Sequence, residues 1–153
     1  MLQNVLPGIR ALRDVSLEEF DTHKDVLPPL QCKRARHVVT ENARTLLAAD
    51  ALRRNDFDLL ATLMYESHRS LRDDYEVSAK ELDVLVDLTR TIPGVYGSRM
   101  TGGGFGGCTI SLVEASAVDK ASQILTDGYR IGTGLDVDIF VCEPSNGALL
   151  IPV

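Results

Sequence analysis

The feature that most constrains this chain is a run of glycines between Gly97 and Cys108, which reads Gly-Ser-Arg-Met-Thr-Gly-Gly-Gly-Phe-Gly-Gly-Cys. Five of the six residues from 102 to 107 are glycine. Glycine adopts positive φ freely and leaves its backbone N–H open to close approach, but it costs roughly 0.5–1 kcal/mol relative to alanine in regular structure. A tight turn between two strands needs only one or two glycines. The run therefore favours a loop that meets an anion or another backbone, and a simple turn is the alternative.

The loop matches the pattern G-x-G-x-x-G through Gly102, Gly104 and Gly107, and this match alone is a weak signal. A Rossmann loop is followed by a helix, whereas residues 108–113 form an apolar run that predicts a strand. A Walker A loop needs a lysine after its last glycine, and Cys108 stands there instead. A protein-kinase loop does join two strands, but the chain has no H-R-D or D-F-G motif.

The sequence therefore predicts a strand–loop–strand hairpin that can bind or position a partner group but has no nucleophile, base or metal ligand of its own. Arg99 is the only cation at the loop, and it can pair with a phosphate or with a carboxylate of the same chain. Phe105 is the one bulky residue there, and a packing anchor is favoured over a ring that lines a cleft. The candidate binding residues are Arg99, Thr101, Gly102, Gly103, Gly104, Phe105, Gly106 and Gly107.

Apolar residues at helical spacing predict several helices before the hairpin. A capping box at 16–19 opens a short helix, and a long helix is expected over 31–53. The residues expected on the buried face of that long helix are Ala35, Val39, Ala43, Leu46 and Leu47. Residues 55–56 predict the N-cap of a second long helix. A second capping box at 78–81 opens a third helix, which ends at 93–94.

Strands are expected at 95–100 and 108–113, on either side of the glycine loop. A helix follows over 116–134, and the alternating residues 137–141 predict a half-buried strand. Residues 146–153 predict a turn and a final edge strand. This order is typical of an α+β fold of the split βαβ (ferredoxin-like) kind. It predicts a small antiparallel sheet with helices on one side, preceded by two longer helices.

Polar residues in the helices have competing interpretations. His68 belongs either to a polar cluster lining a cleft or to local salt bridging and capping near Arg72, and the local interpretation is favoured. His37 is expected at the surface or in an N-terminal helical turn. Asp73 and Asp74 point about 100° apart on a helix and do not readily converge on one ion.

Composition argues against several classes of protein. The formal net charge of −6 argues against a nucleic-acid partner. No apolar run approaches the roughly 20 residues of a membrane span, and the N-terminus lacks the pattern of a signal peptide. Cys32, Cys108 and Cys142 have no metal-binding spacing and are expected to be small buried residues in a reducing, cytoplasmic setting. A length of 153 residues suggests one domain, 1–153.

The segment Arg99-Met-Thr-Gly-Gly-Gly-Phe-Gly-Gly-Cys108 resembles the third signature of the galactokinases, which belong to the GHMP family of small-molecule kinases. The run Glu66-Ser-His-Arg-Ser-Leu-Arg-Asp-Asp-Tyr-Glu-Val-Ser78 is similar to a galactokinase helix. Shorter similarities lie at 11–15, 33–44 and 141–147, in the family's order. The resemblance implies a fold of the GHMP kinase C-terminal kind.

The resemblance also implies what this sequence lacks. In galactokinases the sugar-recognition signature, the loop that wraps the ATP phosphates and the catalytic Asp and Arg precede this region. None of them is present here. The chain is therefore expected to be the C-terminal part of a galactokinase, without the N-terminal catalytic half and inactive alone. No catalytic or metal-ligating residue is assigned to it.

By resemblance, the complete enzyme phosphorylates galactose to galactose 1-phosphate with ATP and Mg²⁺, whose ligands lie mainly in the absent half. The expected partners are that N-terminal half or a second copy of the chain, with no nucleic acid and no membrane. The alternative is a non-catalytic, galactokinase-like regulatory or partner-binding module.

Overall fold

The computed structural model describes residues 1–143 and residue 145. Its helices are α1 (Leu2–Val5), α2 (Leu17–His23), α3 (Pro29–Arg53), α4 (Phe57–Ser70), α5 (Lys80–Thr89) and α6 (Val118–Thr133). Its strands are β1 (Val95–Thr101) and β2 (Cys108–Val113). A single π-helical turn, Leu71–Tyr75, follows α4. Short 3₁₀ turns lie at Leu12–Asp14, Lys24–Val26 and Ala115–Ala117. The predicted α+β class is confirmed.

Two of the predicted helix starts are confirmed by their hydrogen bonds. The N–H of Ser16 donates to the Glu19 carboxylate at 2.8 Å, and the N–H of Glu19 donates to the Ser16 hydroxyl at 3.2 Å. The carboxylate of Asp56 accepts from the N–H of Leu59 at 3.0 Å and caps α4. The capping box predicted at 78–81 is wrong, because the Ser78 hydroxyl donates to Asp83 instead and Ala79 holds the N-cap position.

The hydrophobic core forms two clusters. The first joins α2 and the segment before it to α3, and consists of Val15, Phe20, Ala35 and Val39. The second joins the π-helical turn, α5 and β1 and consists of Leu71, Leu82 and Met100. The prediction that Leu46 and Leu47 lie on a buried face is wrong, since they are 74% and 51% exposed. Helical spacing identifies an apolar face but not a partner that covers it.

The predicted hairpin is confirmed. β1 pairs antiparallel with β2 from Val95 opposite Val113 to Thr101 opposite Cys108, with a register irregularity between Val95 and Gly97. α4 packs closely against β1 at Gly97, where an added Cβ would lie 2.8 Å from the Cα of Ala61. The hairpin is therefore held against the helices, with its loop at the far end of the paired strands.

The strand predicted at 137–141 is wrong, because residues 136–143 form no strand. Phe140 and Val141 are 84% and 66% exposed. Alternation marks a segment that suits a strand, but a strand also needs a neighbour to pair with, and none of the described residues pairs with this one. The turn and edge strand predicted at 146–153 lie outside the described residues.

The cysteine prediction is also wrong. Cys108 and Cys142 are exposed and Cys32 is half-buried, and all three are free thiols. Cys108 is the first residue of β2, directly after the loop, where the hairpin leaves the helices. No helix in the part of the chain that the structure describes combines the length and apolar character needed to cross a bilayer.

Candidate functional site

The glycine loop, residues 102–107, projects from the hairpin into solvent. Its residues are exposed except Gly104, which is half-buried. Gly102 and Gly106 have φ values of 71° and 112°, in the region that favours glycine. Phe105 also has positive φ, at 62°, which is uncommon for a residue with a side chain. The loop is therefore held in a specific conformation on the surface of the domain.

Steric limits explain two further glycines of the loop. A Cβ on Gly104 would lie 2.4 Å from the carbonyl oxygen of Val77, and one on Gly107 would lie 2.0 Å from the carbonyl oxygen of Gly103. Gly103 itself is different, because it has no positive φ and no atom within 4 Å of its Cβ position. No contact within the described residues therefore requires glycine at position 103.

Phe105 is fixed by its backbone and not by its ring. Its N–H donates to the carbonyl oxygen of Val77 at 2.8 Å, in the segment between the π-helical turn and α5. Its side chain is 78% exposed, so the prediction that the ring is a packing anchor within the chain is wrong. The left-handed backbone at this position leaves the ring in solvent, where another surface can reach it.

Arg99 lies in β1 and pairs with α3. Its Nη1 lies 3.0 Å from Oε1 of Glu41, and its Nε donates to the carbonyl oxygen of Met100 at 3.0 Å. Glu41 also accepts from Ser67 and Arg44. Of the two partners that the sequence left open for Arg99, the structure shows a carboxylate of the same chain. Thr101 is exposed at the end of β1.

His68 is a buried link between three elements, which sequence reasoning missed. The N–H of Met100 in β1 donates to its Nδ1 at 3.2 Å, so the ring hydrogen is assigned to Nε2. Nε2 lies 3.1 Å from Oδ1 of Asp83 in α5, although the pair is poorly aligned as a hydrogen bond. Burial lowers the pKa of His68, against an opposing effect of the Asp83 carboxylate. The favoured local interpretation of His68 is therefore wrong, although its neighbour Arg72 does pair locally, with Asp73.

His37 is buried, so the prediction of a surface histidine is wrong. Its ring stacks on Tyr75 with 4.5 Å between centroids, and its Nδ1 lies 3.0 Å from the Ser70 hydroxyl. Burial lowers its pKa as well. The sequence does not show that Tyr75 is the partner of His37, because the π-helical turn that brings Tyr75 over α3 leaves no periodic pattern.

The two neighbouring aspartates face different partners, as expected for adjacent helical positions. Asp73 pairs with Arg72, whereas Asp74 accepts from Ser70 and lies 3.2 Å from Arg36. Among residues 1–143 and 145, no group of three or more His, Cys, Asp or Glu side chains is arranged to hold a metal ion.

A cavity of about 590 Å³ lies between the N-terminal segment and α3. Its walls include Leu2, Ile9, Leu12 and Arg34, and no residue of the glycine loop lines it. The glycine loop lies outside this cavity and is exposed.

Comparison with known proteins places this geometry in a family. The profile described as GHMP kinases C terminal matches residues 48–131, which include the glycine loop. The chain is 50% identical over 146 residues to the galactokinase of Roseiflexus sp. (strain RS-1), an alignment that covers 95% of this chain and 37% of that protein. It is 49% identical over 144 residues to the galactokinase of Homo sapiens, covering 94% of this chain and 36% of that protein.

A solved structure shows the same fold. The crystal structure of Lactococcus lactis galactokinase complexed with galactose matches with a TM-score of 0.84 at 38% identity, covering 88% of this chain and 35% of that chain. The chain therefore spans little more than a third of the length of these relatives. The family profile, the sequence relatives and the shared fold agree, and the chain belongs to the GHMP kinase C-terminal domain family.

Proposed function

We propose that this chain forms one wall of the active-site cleft of a galactokinase, which transfers a phosphoryl group from ATP to the C1 hydroxyl of galactose. The similarity to galactokinases over 94–95% of the chain supports this function. In this proposal the chain acts as a single domain, and the sugar-binding and catalytic groups lie in the part of a galactokinase that this chain does not span. Its proposed place of action is the cytoplasm.

The observation that carries the proposal is the exposed glycine loop. Steric contacts explain glycine at positions 104 and 107, whereas no contact among the described residues explains it at 103. The ring of Phe105 is also largely exposed. A backbone without side chains next to an exposed aromatic ring suits close contact with a nucleotide or with the loop that holds its phosphates.

Phosphoryl transfer depends mainly on positioning and on stabilising charge, so a wall without acid or base groups can contribute to it. The loop's surface is wide enough for a phosphate to approach, because the Cβ positions of Gly102, Gly103 and Gly106 meet no atom within 4 Å. In this proposal the N–H groups of the loop support the phosphates of ATP. A bound Mg²⁺ would neutralise phosphate charge, and its protein ligands would lie mainly in the part of a galactokinase that this chain does not span.

The roles proposed for the two polar side chains differ. Arg99 holds β1 to α3 through Glu41, and it therefore supports the loop from behind instead of binding phosphate directly. Thr101 is the exposed last residue of β1, directly before the loop. Both residues remain within the proposed nucleotide-binding wall.

The test is a hybrid kinase, in which this chain replaces the segment that it matches in the Roseiflexus galactokinase. We expect the hybrid to form ADP in a galactose-dependent way and the isolated chain to form none above background. Turnover by the isolated chain would contradict the assignment of the catalytic groups to another part. A folded hybrid that binds ATP and galactose without turnover would favour the regulatory or partner-binding module instead.

A further inference from the structure

The conformation of the glycine loop depends on one contact with a distant segment. The N–H of Phe105 donates to the carbonyl oxygen of Val77 at 2.8 Å, and the Cβ position of Gly104 lies 2.4 Å from the same oxygen. The loop therefore packs its backbone directly onto the carbonyl of Val77. Any rotation of the Val77 peptide would break the hydrogen bond or push the loop away.

The position of Val77 follows from a sharp turn at the residue before it. Glu76 has φ 57° and ψ 47°, a left-handed conformation that is sterically unfavourable for a residue with a Cβ. This conformation ends the π-helical turn and directs the chain back, so that the N–H of Val77 donates to the carbonyl oxygen of Leu71 at 3.0 Å. A residue other than glycine keeps a left-handed conformation only where the surrounding structure stabilises it.

Two cations of α3 hold Glu76. Nζ of Lys33 lies 3.0 Å from Oε1 of Glu76, and Nη2 of Arg34 lies 2.6 Å from Oε2. The same two side chains also donate to backbone carbonyls of the π-helical turn, Lys33 to Asp73 at 3.2 Å and Arg34 to Asp74 at 2.5 Å. The carboxylate and the turn are thus fastened to one end of α3 by four polar contacts.

We propose that Glu76 is a positioning residue for the glycine loop: its ion pairs with Lys33 and Arg34 hold the left-handed turn that places Val77, whose carbonyl oxygen accepts from the N–H of Phe105. The loop is then set from α3 at two places, through Glu76 at its tip and through Glu41 and Arg99 at its base. The consequence for nucleotide binding rests on the proposed function, whereas the positioning itself does not.

The direct test is the solvent exchange of the Phe105 amide, measured by NMR on the full chain. Glu76→Gln keeps the size of the side chain but removes its charge, and we expect the Phe105 amide to exchange roughly three- to tenfold faster. Asp21→Asn is the matched control, because it removes an exposed ion pair with Lys24 that has no contact with the loop. It is expected to leave the Phe105 amide unchanged.

A second variant removes the two cations that pair with Glu76 and leaves the residues of the turn unchanged. Lys33→Met combined with Arg34→Gln is expected to accelerate the Phe105 amide as Glu76→Gln does, and it decides the question if Glu76→Gln does not fold. Exchange at the wild-type rate in the folded variants would overturn the proposal. So would an equal acceleration in Asp21→Asn, because the effect would then not pass through Glu76.

The hybrid kinase separates this inference from the proposed function. If both hold, Glu76→Gln raises KM for ATP several-fold and leaves KM for galactose unchanged. If the Phe105 amide exchanges faster while KM for ATP stays constant, Glu76 positions the loop but the loop does not serve the ATP site. If the Phe105 amide exchanges at the wild-type rate, Glu76 does not position the loop, whatever the KM for ATP of the hybrid.

Discussion

The guanidinium of Arg99 lies 3.0 Å from the carboxylate of Glu41. This contact joins the C-terminal part of β1 to a residue of α3 that lies 58 positions earlier in the chain. Glu41 is 20% exposed at its side chain and also accepts from Ser67 and Arg44. One carboxylate thus binds α3, α4 and β1 together directly behind the glycine loop. The sequence left open whether Arg99 binds a phosphate or a carboxylate. In this structure it pairs with Glu41 and so holds β1, the strand that leads into the loop, against α3.

Removing the charge of Glu41 is expected to destabilise the domain. Glu41→Gln leaves Arg44 and Arg99 without their shared carboxylate, and we expect the free energy of unfolding to fall by about 1–3 kcal/mol. Urea denaturation measures this change. Glu18→Gln, at an exposed position of α2, is the control and should change the free energy of unfolding by less than about 0.5 kcal/mol. Equal midpoints for the two variants would contradict the structural role of Glu41.

Stability is expected to fall as the pH drops below about 6.5, the ordinary pKa of histidine. Burial lowers the pKa of both His37 and His68 in the folded chain, so the unfolded chain binds more protons in this window and acid favours unfolding. Urea midpoints at pH 7.5 and 5.5 test this.

Carboxylates do not account for the expected loss of stability between pH 7.5 and 5.5. Some carboxyl groups, such as Asp73 and Glu76, have a pKa that is lower in the folded chain than its ordinary value of 3.8 or 4.5. Their effect on stability therefore changes at a pH below 5.5. A midpoint that stays constant or rises between pH 7.5 and 5.5 would show that the histidines are not buried as described.

Gly104→Ala is expected to destabilise the loop within the isolated chain. The added methyl group would lie 2.4 Å from the Val77 carbonyl oxygen, which is backbone and cannot move aside cheaply. We expect a loss of about 1–3 kcal/mol in the free energy of unfolding, or faster solvent exchange of the Phe105 amide if the loop lifts away. Wild-type behaviour in both measurements would refute the packing of the loop on Val77.

The isolated chain is expected to associate with itself, because α3 exposes Leu46 and Leu47 to solvent. Sedimentation velocity over a range of concentrations measures this. Leu46→Lys should shift the distribution toward monomer, whereas a substitution on the polar part of the same helix, Asp50→Asn, should not. A monomer at every concentration of the wild-type chain would contradict the expectation.

The sequence predicts the hairpin, its loop and the main helices, because these depend on local patterns. The glycines at 102–107 and the apolar run after them determine the hairpin without reference to the rest of the chain. The contacts of Glu41, His37 and His68 could not be predicted in this way. The bonds Glu41–Ser67, Glu41–Arg99, His37–Ser70 and His68–Met100 join residues 26 to 58 positions apart, and no local pattern records which distant group a buried polar side chain will meet.

Two of the errors have the same origin. The strand predicted at 137–141 and the buried face predicted at Leu46 and Leu47 both follow correct periodic patterns. Periodicity shows which residues are suited to pairing or burial, but pairing and burial require a partner surface. Neither segment finds such a surface among the described residues.

The most direct test of the account is the KM for ATP of the hybrid kinase carrying Gly103→Ala. Gly103 has no positive φ and an open Cβ position, so the isolated chain should unfold at the same urea concentration with either residue. In the hybrid, we predict that the added methyl group raises KM for ATP at least about fivefold and leaves KM for galactose unchanged. An unchanged KM for ATP in an active hybrid would contradict the claim that this loop faces the nucleotide.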